Sequence, residues 1–186
     1  MSNTNQTVIQ QTKNWVEKIV TGLNLCPFAS QPFQNDTIEY TVCSGDSIEQ
    51  HLQQLADCFT RLDAKINNSA DIETSLLIYP EAYKKFDNYL ELLDYANQLL
   101  DDLNYTGTYQ IASFHPDYRF AGSTENDASN FSNRSPYPML HLIRESSLEK
   151  AIDNYPNVEQ IPENNIRKLR EIGYQEMQAK LKNITT

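Results

Sequence analysis

The N-terminal part of the chain has an apolar side chain at almost every third or fourth position. This period is that of an α-helix with one buried face, and Gly22 supplies a residue at which such a helix ends. The stretch NLCPFASQPF comes next, and its two prolines indicate a loop. The positions that carry the helical pattern are Val8, Ile9, Thr12, Trp15, Val16, Ile19, Val20 and Leu23.

Two longer segments repeat the helical period. The first begins at Asp46, which has the spacing of a capping box with Glu49, and the second covers residues 81–103. The predicted buried stripe of the first is Ile48, Leu52, Leu55, Phe59, Leu62 and Ile66, and that of the second is Phe86, Leu90, Leu93, Asn97, Leu100 and Leu103.

Four short stretches of aliphatic, aromatic and β-branched residues are predicted to be strands. Alternate residues of a strand point to opposite faces of its sheet, so in the fourth stretch, MLHLIRE, His141 shares a face with Met139 and Ile143. The four stretches are residues 37–43, 74–79, 108–114 and 139–145.

The C-terminal part is predicted to be helical. Ser146 and Glu149 have capping-box spacing and begin a short helix that ends near Pro156, and a last helix covers residues 162–181.

The order of these elements predicts an α/β fold. The helices between the first three strands are long enough for parallel crossovers, whereas the last two strands have no helix between them and are expected to pair antiparallel. We therefore predict one domain over residues 1–186, a sandwich with a small four-stranded mixed sheet and helices packed on it. An α+β arrangement is the alternative.

Charge and composition narrow the class of partner. The formal net charge is −10, which opposes binding to nucleic acid or to an acidic membrane surface, and a small-molecule ligand is expected instead. No membrane span and no signal peptide is indicated, so we expect a cytoplasmic protein. The three cysteines form no C-x-x-C pair, and disulfides are not expected.

Residues 115–138 form a long polar stretch between the third and fourth strands. Loops of this length inside a compact domain are usually functional or disordered, and four aromatic residues and three prolines favour an ordered, packed loop. Its first residue, His115, would lie at the carboxyl end of the third strand, where α/β sheets place ligands. We predict that His115 moves a proton and that Asp117 orients its ring.

Further candidates surround this position. Arg119, Arg134 and Arg144 are predicted to bind an anionic group of a substrate, with ion pairs to Asp117, Asp127 or Glu145 as the alternative. We expect Arg144 to be partly buried and held by a carboxylate or a ligand.

Cys26 and His141 complete the predicted substrate site. Cys26 lies in the proline-rich loop after the first helix and is predicted to line the pocket with His115, where it could act as a nucleophile. The alternative is an inert thiol packed in the core under the first helix, far from His115. His141 would bind substrate if its face of the sheet is the one that carries the site.

Three segments, NLCPFA, FHPDYRFAG and NRSPYPMLHLIRE, together resemble the bacterial domain-of-unknown-function family 1415. The resemblance covers nearly the whole chain. It implies a single-domain bacterial protein of this length and carries no activity with it.

Common mechanisms that depend on a glycine-rich loop are not indicated. The chain has five glycines and lacks the G-x-x-x-x-G-K-[ST], G-x-G-x-x-G and G-x-S-x-G motifs. We predict an enzyme, a hydrolase or transferase acting on a small polar or anionic metabolite, with no cofactor and no oligomeric state assigned.

Two alternatives to the enzyme remain open. One is a metal-binding protein that uses Cys26, His115 and His141, with Asp117 or Glu125 as a fourth ligand. The other is a non-catalytic interaction protein that docks a partner through residues 115–138.

Overall fold

The structure is a computed structural model that describes residues 3–65 and 72–186. No helix in these residues is both long enough and apolar enough to cross a membrane. Their α-helices are Asn3–Trp15 (α1), Ser30–Gln34 (α2), Ile48–Lys65 (α3), Phe86–Asp102 (α4), Glu145–Asp153 (α5), Ile161–Ile172 (α6) and Tyr174–Thr185 (α7). Their strands are Ile38–Val42 (β1), Thr74–Ile78 (β2), Tyr109–Phe114 (β3) and Met139–Arg144 (β4).

The strands form one mixed sheet in the order β1-β2-β4-β3. β1 and β2 are parallel, and β4 lies antiparallel to both β2 and β3. The α/β class, the mixed four-stranded sheet and the antiparallel pairing of the last two strands are confirmed. The insertion of β4 between β2 and β3 was not predicted, because local sequence patterns carry no information about strand order.

Each face of the sheet is covered by its own set of helices. The first face, which carries Ile38, Leu76 and Met139, packs against α1, α6 and α7. The second face, which carries Leu77, Leu140 and Leu142, packs against α3 and α4. His141 follows the alternation of β4 and lies on the first face, as predicted.

Helix α4 buries Leu100 and partly buries Phe86 and Leu93 as predicted, but the centre of its buried stripe differs from the prediction. Leu90 and Leu103 are 39% and 40% exposed, whereas the buried positions are Tyr89, Leu92, Ala96 and Leu100. Two apolar stripes overlap in this helix, and the hydroxyl of Tyr89 decides between them. It donates to the carbonyl of Met139 (2.7 Å) and accepts from the backbone N–H of Phe114 (3.0 Å), joining α4 to β3 and β4.

The first helix ends earlier than predicted. α1 stops at Trp15, and residues Val16–Thr21 continue as a wider π-helical turn that keeps both Val16 and Ile19 buried. The segment predicted to be a loop contains a 3₁₀ turn, Pro27–Ala29, followed by α2. Turns of the π type occur often at functional sites.

Neither of the two predicted capping boxes is formed, and both helices start at other positions than predicted. Before α3, Ser47 Oγ accepts a hydrogen bond from the backbone N–H of Gln50, and Gln50 Oε1 accepts one from the backbone N–H of Asp46. The predicted capping box of Asp46 and Glu49 is therefore not formed. Helix α5 begins at Glu145 without a side-chain cap. The last residue of the stripe predicted for α3, Ile66, lies outside the described residues.

The predicted C-terminal helix is two helices. Gly173 has a φ of 89°, a value that residues other than glycine rarely adopt, and it separates α6 from α7. The resulting bend lets Leu169 and Met177 both reach the core of the first face.

Residues 115–138 pack against the protein largely as predicted. Phe131 is buried in the first-face core, Tyr118 and Tyr137 are half-buried, and Phe120 is 37% exposed. Asn130 is fully buried: its Oδ1 accepts the backbone N–H of Phe120 and the hydroxyl of Ser123, and its Nδ2 donates to the carbonyl of Thr124. One buried amide therefore holds this part of the loop together.

We expect Asn130→Ala to lower the free energy of unfolding by about 3 kcal/mol, because it leaves buried polar groups without partners. Asn88→Ala, at an exposed position of α4, is the control and should change stability by less than about 0.5 kcal/mol. Urea denaturation of the two variants measures the difference. Equal stabilities would contradict a structural role for the Asn130 side chain.

Candidate functional site

A cavity of about 640 Å³ lies over the first face of the sheet, beside β2 and β4. Its floor is formed by Thr74, Leu76, His141 and Ile143. The walls come from the π-helical turn, the segment 26–32 and α5. These residues share one face of the sheet and include the first residue of β2, so the cavity lies over that face. The sequence predicted a site at the carboxyl ends of the strands instead.

The covering elements explain why this part of the sheet is open. The short α5 approaches β4, and Tyr155, just after α5, contacts the ring of Phe28 with 5.5 Å between centroids. Trp15, Val16, Leu148 and Ala151 supply apolar walls, and the apolar part of the cavity surface is larger than the polar part. Polar residues of the lining include Gln31, Glu73, Thr74, His141, Arg144, Ser147, Lys150 and Asn154. A cavity of this size and character is typical of small-molecule sites.

His141 is the imidazole of the cavity. Its Nε2 lies 2.6 Å from the hydroxyl oxygen of Thr74 on the neighbouring strand. Burial lowers the pKa of His141 to about 4, so the ring is neutral at neutral pH. A neutral imidazole can donate at one nitrogen and accept at the other.

Cys26 lines the same cavity. It is half-buried, and removal from solvent raises the pKa of its thiol. The sulfur is therefore protonated at neutral pH and is a poor nucleophile until a proton acceptor is close. All three cysteines are free, and Cys43 and Cys58 are buried in the core.

His115 lies directly after β3 as predicted, and its side chain is fully buried. Its Nε2 donates to the carbonyl of Tyr83 (2.9 Å), and its Nδ1 accepts the backbone N–H of Asp117 (2.9 Å). Burial lowers the pKa of His115. Asp117 thus orients the ring through its backbone, and both ring nitrogens are engaged in holding the loop.

The structure does not bring His115 and Cys26 into one cavity. The His115 ring contacts Phe86 and Tyr89 of α4, which covers the second face, with centroids 5.2 Å apart in each case. Cys26 lies over the first face with His141.

The three predicted anion-binding arginines are in different places. Arg134 is buried and donates to the carbonyls of Tyr118 and Glu125, and Arg119 is exposed. Arg144 is half-buried as predicted, but its guanidinium donates to the carbonyl of Leu62 and lies 4.9 Å from the ring centroid of Tyr109.

Within the described residues, the ion pairs suggested by the sequence for Arg134 and Arg144 are not formed. Asp127, considered as a partner of Arg134 or Arg144, forms a salt bridge with Arg170 at 2.7 Å. This ion pair, with the backbone N–H of Ser129, lowers the pKa of Asp127. The partners of Arg134 and Arg144 are backbone carbonyls, which sequence analysis cannot recognise.

Within residues 3–65 and 72–186, no group of three or more His, Cys, Asp and Glu side chains is arranged to hold a metal ion. Cys26 and His141 line one cavity, whereas the third ligand of the suggested set, His115, is bonded to the backbone elsewhere.

Sequence reasoning missed Thr74, Trp15 and Ser147, which all line the cavity. Thr74 is a diagonal neighbour of His141 across the β2–β4 pair, because Leu76 is opposite His141 in the register. The polarity of Thr74 at the start of an apolar strand was the available indication, but its significance depends on a strand order that the sequence does not reveal.

A family model described as "Protein of unknown function (DUF1415)" matches residues 7–179. Neither the curated proteins nor the solved structures contain a match to the chain.

We expect acid to destabilise the fold through His141. Its folded pKa of about 4 lies below the value of about 6.5 in an unfolded chain, so the unfolded chain binds the proton more readily. The contribution to stability is complete above pH 6.5 and is lost as the pH falls towards 4, with a total on the order of 3 kcal/mol.

Urea denaturation at several pH values between 7 and 4 tests this expectation. His141→Gln should flatten the pH dependence relative to the wild type. His51 and His115 also have pKa values lowered by burial, so a slope of the same sign should persist in the variant. Identical slopes in the two proteins would show that the fold does not keep His141 neutral.

Proposed function

Because the chain belongs to the DUF1415 family, which has no assigned function, we propose a function from the cavity itself. The protein binds a small organic molecule with a substantial apolar part over the first face of the sheet. The observation that carries this proposal is the combination of a cavity of about 640 Å³, mainly apolar walls and one neutral imidazole in its floor.

The distribution of polar and apolar groups in the cavity suits a ligand whose apolar part lies inside it. Apolar walls from the π-helical turn and α5 would cover such a ligand, and His141 would contact it from the floor. Exposed Lys150 and half-buried Glu73 also line the cavity, with formal charges of opposite sign. Burial of apolar area would supply most of the affinity, and the polar atoms would fix orientation.

Adjacent serines of α5 provide a matched test. Ser147 lines the cavity, and Ser146 is exposed on the same helix. We expect Ser147→Phe to fill part of the cavity and weaken binding of a probe such as 2-naphthol by about tenfold or more, and Ser146→Phe to have little effect.

The single tryptophan gives a direct measurement. Trp15 lines the cavity, and its indole N–H donates to the carbonyl of Arg134, so one indole signal in a ¹H–¹⁵N spectrum reports on the site. Titration with 2-naphthol should shift this signal in the wild type and in Ser146→Phe. Equal affinities for both variants would place the probe elsewhere and contradict the proposal.

A second candidate is an enzyme, a hydrolase or transferase, that uses Cys26 as nucleophile and His141 as base. It is favoured by the presence of both side chains in one cavity. Against it, the raised pKa of Cys26 and the lowered pKa of His141 make proton transfer between them unfavourable in the unliganded protein. Binding is therefore the better supported function.

The reactivity of Cys26 discriminates between the two candidates. We expect slow alkylation by iodoacetamide near neutral pH, a rate that rises at alkaline pH, and little change in His141→Gln or His115→Gln. Peptide mapping by mass spectrometry resolves the three cysteines, and unreacted Cys43 and Cys58 show that the protein stayed folded. Fast reaction at neutral pH that is lost in His141→Gln would instead establish the catalytic pair.

A further inference from the structure

The hydroxyl of Thr74 has one proton and two close partners. Its oxygen lies 2.6 Å from Nε2 of His141 and 2.5 Å from the carbonyl oxygen of Leu142. A carbonyl only accepts hydrogen bonds, so the contact at 2.5 Å is favourable only if the hydroxyl proton points to Leu142. Two oxygen lone pairs facing each other at this distance would repel.

The tautomer of His141 follows from this proton count. Since the hydroxyl proton is used by Leu142, the oxygen of Thr74 can only accept from the imidazole, and Nε2 must carry the proton. Nδ1 of the neutral ring is then a hydrogen-bond acceptor with a fixed orientation.

Nδ1 is available to the cavity. Within residues 3–65 and 72–186, Nδ1 has no hydrogen-bond partner. The fully buried side-chain atoms without a partner in that range are the hydroxyls of Tyr40 and Tyr79, and Nδ1 is not among them. Nδ1 is therefore not fully buried, and since His141 lines the cavity, its exposed part is open to the cavity.

We propose that the cavity selects neutral molecules that present an O–H or N–H donor to Nδ1 of His141, and that Thr74 is the positioning residue that sets this preference by fixing the tautomer. This inference rests on the proposed binding function and names the class of ligand. Of the small polar or anionic metabolites expected from the sequence, it selects the neutral ones.

The surroundings of His141 disfavour an anion at this nitrogen. A carboxylate and an imidazole lone pair are both acceptors and would repel, and the low pKa of His141 keeps the ring from offering a second N–H. Arg144 also lines the cavity, but its guanidinium donates to the carbonyl of Leu62 and lies over the ring of Tyr109 on the second face.

The tautomer can be observed without any ligand. ¹⁵N spectroscopy of the three histidine rings, with His141 assigned through His141→Gln, should show a protonated Nε2 and an unprotonated Nδ1 in the wild type. Thr74→Val removes the acceptor and should give a mixture of tautomers, and Thr74→Ser should restore the wild-type pattern. A purely structural role of Thr74 would leave these nitrogen signals unchanged.

Three naphthalene derivatives of similar size test the preference for a donor. 2-Naphthol offers an O–H, 2-methoxynaphthalene lacks it, and 2-naphthoate is an anion at neutral pH. In the wild type and in Thr74→Ser we expect 2-naphthol to bind about tenfold more tightly than the ether, and the naphthoate to bind most weakly. The preference for 2-naphthol over the ether should shrink in Thr74→Val.

The outcomes separate this inference from the binding function. If no derivative shifts the Trp15 indole signal of the folded wild type, the proposed function is wrong. If all three shift it with equal affinity, or the naphthoate binds most tightly, the cavity binds ligands and the donor preference is wrong. A wild-type His141 with its proton on Nδ1 would overturn the inference independently, even if Thr74→Val failed to fold.

Discussion

The position of β4 between β2 and β3 is the constraint on which the rest of the structure depends. Because β4 must enter the sheet from the end at which β3 leaves it, residues 115–138 have to turn back beside that end. The loop is held there by buried polar contacts of His115, Asn130 and Arg134 to the backbone. β4 in turn carries His141 into the middle of the sheet, beside the start of β2.

Much of the architecture could be predicted from the sequence, because strands and helices differ in the spacing of their apolar residues. The four strands, the mixed sheet and the face of His141 all follow from alternation and from the spacing between elements. The buried stripe of α4 did not, since two stripes fit its sequence and a hydrogen bond from Tyr89 to β4 decides between them. Gly173, which was given no weight in the sequence pattern, divides the last helix.

The candidate site was harder to predict for a related physical reason. Histidines and arginines in a polar loop suggest chemistry, but a backbone carbonyl satisfies these donors as well as a ligand does. Arg134 and Arg144 each donate to carbonyls that are distant in the sequence or have no residue-specific pattern. Cys26 and His141 were recognised as candidates, and their meeting in one cavity depends on the packing of the N-terminal segment over β4.

The cavity is assembled from segments that lie far apart in the chain. Trp15 reaches the carbonyl of Arg134 across 119 positions, and the floor at His141 and the wall at α5 lie further along still. Closing loops of this length costs conformational entropy, and an N-terminal fragment that ends before Tyr155 lacks part of the cavity lining. A ligand that required the whole cavity would bind the folded protein and not the unfolded chain, and its binding would raise the free energy of unfolding.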